Sequence, residues 1–293
     1  MTNDHKEAFE KTKVAGLIAA GALDEVLKII KPGIKTNQID KLCYEYLNDH
    51  GAYSAPLFYR GFPKSCCTST NHIVCHGIPS DKVLKDGDIV NVDVTALKDG
   101  WHGDTSRTFE IGEVSIKAKK LVQTTYDAMM KAIKIIKEDI FLGDIGAVIQ
   151  NHVEAEGFSV VQDFCGHGIG QEFHKEPNVL HYGKEGTGEK IKAGMIFTVE
   201  PMINLGKYAV LFDHHEPKTA AAKTEDQSIT ITKDHVPLEP LSGPELENPT
   251  GTATAYDPNF VVSQDEVLVK QAIQWMSLGA GVTLLIAIVV FLL

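Results

Sequence analysis

Between 90 and 95 the chain alternates strictly. Val90, Val92 and Val94 fall on one face, and Asn91, Asp93 and Thr95 on the other. A period of two is that of a half-buried strand. Asp99-Gly100 follows, a dipeptide suited to the two-residue turn of a hairpin. If those two residues form the loop, position i faces position 199 − i, so Asp93 pairs with Ser106 and Thr95 with Asp104. Asp93 and Asp104 then share a face as diagonal neighbours, roughly 7–8 Å apart at Cα. Elsewhere the apolar spacing is helical, over 9–30, 37–48, 122–136 and 144–156.

These stretches recur at a fixed interval. Ile30-Lys31-Pro32-Gly33-Ile34 returns as Ile136-Lys137-Glu138-Asp139-Ile140, Ile39 as Ile145, and Gly51-Ala52-Tyr53-Ser54 as Gly157-Phe158-Ser159-Val160, each shifted by 106 positions. A constant shift predicts two related halves, each of helices followed by strands, in an α+β fold rather than a short-period solenoid. The C-terminus departs from the pattern. The 18 residues 276–293 are uncharged and mostly apolar, and Trp275 precedes them. As a helix such a run spans about 27 Å, near the roughly 30 Å of a bilayer core. The expectation is a C-terminal transmembrane helix with an interfacial tryptophan. The stretch before it is rich in Pro, Thr, Asn, Gly and Glu and reads as a linker. The chain thus divides into a globular unit 1–240, a flexible linker 241–264 and a membrane anchor 265–293.

Composition narrows the function. Of 293 residues 43% are hydrophobic and 23% charged, and the net charge is −11. An acidic chain without a basic run lacks the Lys and Arg clusters that phosphate contacts need, which argues against nucleic acid as partner. The five cysteines, Cys43, Cys66, Cys67, Cys75 and Cys165, are odd in number and form no CxxC pair. That fits a reducing compartment better than a disulfide framework. The N-terminus is polar and has no secretory apolar core. A cytoplasmic catalytic unit, tethered by its tail to a membrane, is the expected arrangement.

Two carboxylates close together on a half-buried sheet repel unless a cation neutralises them, and hard divalent cations favour oxygen ligands. Further donors lie downstream. Cys165-Gly166-His167-Gly168-Ile169-Gly170 sets one histidine among glycines, and His174 follows in Phe173-His174. Phe197-Thr198-Val199-Glu200-Pro201 ends an apolar strand on a carboxylate, and Val74-Cys75-His76-Gly77 adds a third histidine. Any one alone is as readily a surface or core residue. Together, Asp, Glu and His suit a first-row divalent pair such as Co, Mn, Fe or Zn. The thiols lack zinc-site spacing.

With Pro63-Lys64-Ser65, Asn91-Val92-Asp93-Val94, His102-Gly103-Asp104-Thr105-Ser106 and Glu200-Pro201-Met202-Ile203-Asn204, these motifs make the chain resemble the type I methionine aminopeptidases, M24-type metallopeptidases of pita-bread fold, over about residues 5–235. The family's pseudo-two-fold symmetry matches the internal repeat. The resemblance implies hydrolytic removal of the initiator methionine from nascent proteins, met at the ribosome, by a monomeric catalytic domain with two metal ions. It implies that Asp93 chelates one metal, Asp104 bridges both and His167 binds the other. Glu200 would bind metal and act as general base on a bridging water. His76 and His174 would contact substrate and stabilise the tetrahedral intermediate, and Tyr59, Phe62, Cys67 and Phe173 would line the methionine pocket.

The last ligand departs from the family pattern. Aligned from the left, with Ala222 on the family's alanine, it is Glu225; aligned from the right, through Ile229 and Ile231, it is Asp226. Glu225 keeps the residue type. Two competing functions on the same fold are a non-catalytic binding module and a prolidase-like X-Pro peptidase.

Overall fold

The computed structural model describes residues 2–212, 220–222 and 284–291. Helix α1 (Asn3–Ile29) starts where the Thr2 hydroxyl accepts from the His5 N–H at 3.2 Å. Its buried stripe is Ala15, Ala19, Ala22, Leu23 and Val26, at helical spacing. Helix α2 (Thr36–Asp49) follows, and Gly51 at φ +63° turns the chain off its end. Helices α3 (Ile116–Ile135) and α4 (Leu142–Ala155) repeat this plan. Both ends of α4 lie 106 positions after those of α2, and Gly157 at φ +82° takes the place of Gly51. Even the cap recurs: Lys35 N–H donates to Gln38, and Phe141 N–H donates to Asp144. The repeat is therefore structural.

Each half has its own core. Leu23, Val26, Ile39 and Leu47 pack on Val90, Val92 and Val94 in the first half. Met129, Ile133, Ile145 and Ile149 pack around Phe197 and Val199 in the second. Between them runs a sheet built on β1 (Tyr53–Ser54), β2 (Cys67–Thr70), β4 (Ile89–Lys98), β5 (Trp101–Glu110), β7 (Gly166–Gly168), β8 (Lys175–Val179), β9 (Ile196–Val199) and β13 (Leu284–Phe291), in the order β1-β4-β5-β13-β9-β7-β8 with β2 on β4. Between these in sequence come β3 (Ile73–Cys75), β6 (Ser159–Val160), β10 (Ile203–Asn204), β11 (Val210–Phe212) and β12 (Ala220–Ala222), which form small side sheets. The β4–β5 hairpin has the register expected from its sequence: Asp93 faces Ser106 and Thr95 faces Asp104. Asp99 at φ +50° and Gly100 at φ +82° form its two-residue loop, the left-handed pair such a turn demands.

The expected transmembrane helix is corrected for its described part. Leu284–Phe291 is a β-strand that pairs antiparallel with β5 on one side and β9 on the other, joining the two halves of the sheet. An uninterrupted apolar run such as this satisfies a central strand as well as it satisfies a bilayer, and hydropathy does not separate the two. Among the described residues no helix is long and apolar enough to cross a membrane. Trp275 and the linker 241–264 lie outside the described residues.

Candidate metal centre and active-site cavity

Position 93 lies four residues along β4 from its start, on the face opposite the valines. Asp104 sits on the neighbouring β5, where the Thr95 hydroxyl donates to its Oδ1 at 3.0 Å. Strand β5 can carry Asp104 this close to the core because Gly103 precedes it. A Cβ there would stand 2.0 Å from the backbone nitrogen of Gly16, so α1 lies directly on the strand. From the second half, β7 presents His167 and the end of β9 presents Glu200. His167 Nε2 stands 3.6 Å from Asp104 Oδ2 and 3.5 Å from Glu200 Oε1.

Thr198 ties these groups together. Its hydroxyl oxygen accepts from the His167 N–H at 2.9 Å and its hydroxyl donates to Glu200 Oε1 at 2.6 Å. The Glu200 backbone N–H in turn donates to His181 Nε2 at 3.1 Å.

The electrostatics are those of crowded acids. Burial, then the charges of Asp104 and Glu200, push the Asp93 carboxyl well above the ordinary range. Burial also raises Glu200, opposed by His167, to about 7. Burial works to lower His167, but its contact with Asp104 and the charge of Glu200 outweigh this and raise it to about 9. Without a cation the site thus draws in protons. Among the described residues no set of three such side chains is already gathered to coordination distance. The donor chemistry nonetheless fits an ion. Ligands bound at about 2.1 Å sit roughly 3.0–3.4 Å apart around it, only slightly closer than His167 stands to its two carboxylates. Glu225 and Asp226 lie outside the described residues; β12 ends at Ala222, paired with Val210.

The four acids and bases open onto a cavity of 890 Å³. Tyr59, Phe62, Cys67, His76, Phe173 and His174 all line it. Tyr59 OH and His174 Nδ1 are hydrogen-bonded at 3.1 Å, and the His174 ring lies 4.2 Å from that of His167. Burial and the positive neighbour His167 hold His174 down to about 4, so it is neutral at pH 7. His76, at φ +56°, meets Phe164 edge-on at 5.6 Å. Gly77 after it is dictated by packing, since a Cβ would stand 2.3 Å from the Thr68 carbonyl oxygen on β2. Every described residue expected at the site lines this one cavity. Sequence reasoning missed Thr198, His102, Phe164 and His181. Alternation puts Thr198 on the face of Glu200, but its tie to His167 has no signal in the sequence. His102 stacks on Phe173 at 5.4 Å and Phe164 adjoins the glycine-flanked His167 motif, but neither has a local signature. A lone histidine in Leu180-His181-Tyr182 gives no hint of its place.

Comparison with known proteins follows the same lines. The model of metallopeptidase family M24 matches residues 10–233. The methionine aminopeptidase of Rickettsia prowazekii is 48% identical over 247 residues, covering 82% of this chain and 95% of that one. That of Escherichia coli is 46% identical over 242 residues, covering 82% and 90%. The crystal structure of the Rickettsia prowazekii enzyme superposes with a TM-score of 0.74 at 51% identity, covering 74% of this chain and 88% of that one. The chain belongs to metallopeptidase family M24, with its pita-bread fold, and within it to the methionine aminopeptidases.

Proposed function

We infer that this chain is a metal-dependent exopeptidase that hydrolyses the first peptide bond of chains beginning with methionine. The observation that carries the reading is the meeting of Asp104, His167 and Glu200 at 3.5–3.6 Å beside an apolar-walled cavity. Two divalent ions are proposed, held by Asp93, Asp104, His167, Glu200 and Glu225. Asp93 would serve one ion, His167 the other, and Asp104 both. Bound there, such ions supply Lewis acidity and lower the pKa of water.

The side chains do the rest. Tyr59, Phe62, Cys67 and Phe173 take the methionine side chain; Cys67 is buried, and burial keeps its thiol protonated. Glu200 would take a proton from the attacking water and return it to the leaving amine, its carboxylate lying beside His167 and held by Thr198. His174, neutral and fixed by Tyr59, donates a hydrogen bond to the developing oxyanion, with His76 lining the same cavity.

Nascent chains emerging at the ribosome are the proposed partners, since they begin with methionine. A monomeric catalytic unit is proposed. Its five free cysteines support a reducing, cytoplasmic setting.

A panel of peptides tests the reading against its rivals. Methionine should be released from Met-Gly peptides but X-Pro peptides should stay intact, with about two metal ions per active chain. Cleavage of X-Pro peptides alone would favour the prolidase-like activity, and an inert, metal-free protein the binding module.

A further inference from the structure

His181 is wholly buried, yet only one of its two ring nitrogens has a partner. Nε2 accepts from the Glu200 backbone N–H at 3.1 Å. An accepting Nε2 leaves the proton of the neutral ring on Nδ1, and Nδ1 meets no acceptor among the described residues. A buried unpaired donor is costly, and an apolar side chain of similar size would avoid it. The imidazole therefore disfavours its own packing while satisfying one backbone group.

That group sits at a particular place. Strand β9 ends at Val199, and Pro201 offers no N–H, so Glu200 carries the last donor before the chain turns. His181 receives it. The segment bearing His181 is itself clamped. On α4, Gly146 leaves no room for a Cβ, which would stand 2.3 Å from the Tyr182 carbonyl oxygen and 2.8 Å from that of Leu180. A rigid helix thus fixes the loop, the loop fixes the ring, and the ring fixes the backbone from which the Glu200 carboxylate projects. Thr198 holds the same carboxylate from its other end, at Oε1.

We propose that His181 is a positioning residue that sets Glu200 for metal and substrate by accepting its backbone N–H. The proposal rests on Glu200 being a ligand and base, as inferred above. The test compares His181→Gln with His181→Asn. The Gln amide oxygen reaches the position of Nε2, whereas the Asn amide stops near that of Nδ1. Manganese(II) affinity is read by competition with a chromophoric chelator, alongside kcat, KM and the unfolding temperature.

His181→Asn should lose about 10–100-fold in manganese affinity or kcat, the usual effect of removing a group that orients a ligand, with KM nearly unchanged. His181→Gln should stay within about threefold of wild type, although both replace the same ring. In a Glu200→Ala background, His181→Asn should lower manganese affinity no further, since the group it positions has gone. Equal losses in Gln and Asn, or full additivity with Glu200→Ala, would overturn the proposal. Should His181→Asn fail to fold, the Gln variant decides alone: a loss of tenfold or more in affinity at an unchanged unfolding temperature overturns it. Wild-type protein that binds no manganese and releases no methionine would instead count against the function itself.

Discussion

Thr198 donates its hydroxyl to Glu200 Oε1 at 2.6 Å while its oxygen accepts the backbone N–H of His167 at 2.9 Å. One hydroxyl thus couples the carboxylate and the histidine that come from different strands of the second half. It also favours the charged form of Glu200, against the burial that raises that group to about 7.

Metal affinity should therefore rise with pH. To bind an ion, Glu200 must lose a proton held to about 7 and His167 one held to about 9. Below each value protons compete with the ion, so affinity increases as pH rises through 7 and again towards 9. Thr198→Val removes a hydrogen bond to the ionised carboxylate and should move the lower step upward. Chelator competition between pH 6 and 9 measures both, and a pH-independent affinity would contradict the scheme.

Asp104→Ala and Glu200→Ala should abolish turnover and leave the fold largely intact. Each removes a proposed ligand but also relieves repulsion that burial aggravates, as the raised Asp93 carboxyl shows. Metal content, circular dichroism and methionine release are the readouts. Activity within a few-fold of wild type, with metal still bound, would refute the assignment.

His76→Ala and His174→Ala should lose rate, by about 10²-fold or more, and keep their metal. Both rings line the cavity, and His174 is held by Tyr59 rather than by a carboxylate. Loss of metal on either change would make that histidine a ligand.

Gly103→Ala should destabilise the first half and displace Asp104 with it. The new methyl would be driven into the α1 backbone at Ala15 and Gly16, which has no rotamer to yield. Overpacking of this kind destabilises by roughly 1–3 kcal/mol, equal to a fall of several degrees in unfolding temperature. An unfolding temperature within about 1 °C of wild type would show that α1 can move aside.

Much of this architecture is legible in the sequence because local rules and the global fold agree. The valine alternation and Asp99-Gly100 fix the hairpin register, and with it the approach of Asp93 to Asp104. The 106-residue repeat foretells the matching ends of α2 and α4. Leu284–Phe291 shows where such reasoning stops, since period and hydropathy cannot separate a central strand from a membrane span. His181 and Thr198 were hidden for a different reason. Their roles arise from contacts across 19 and 31 positions, which no local pattern encodes.

The central claim is that a metal centre on Asp104, His167 and Glu200 removes N-terminal methionine. It is tested most directly by following free methionine released from a Met-Ala-Ser peptide. The purified protein is assayed as isolated, after exhaustive chelation, and after manganese(II) or cobalt(II) is restored. Release that stops on chelation and returns with the metal is the expected result. Release that continues unchanged in the chelated protein, or never begins in the metal-restored one, would contradict it.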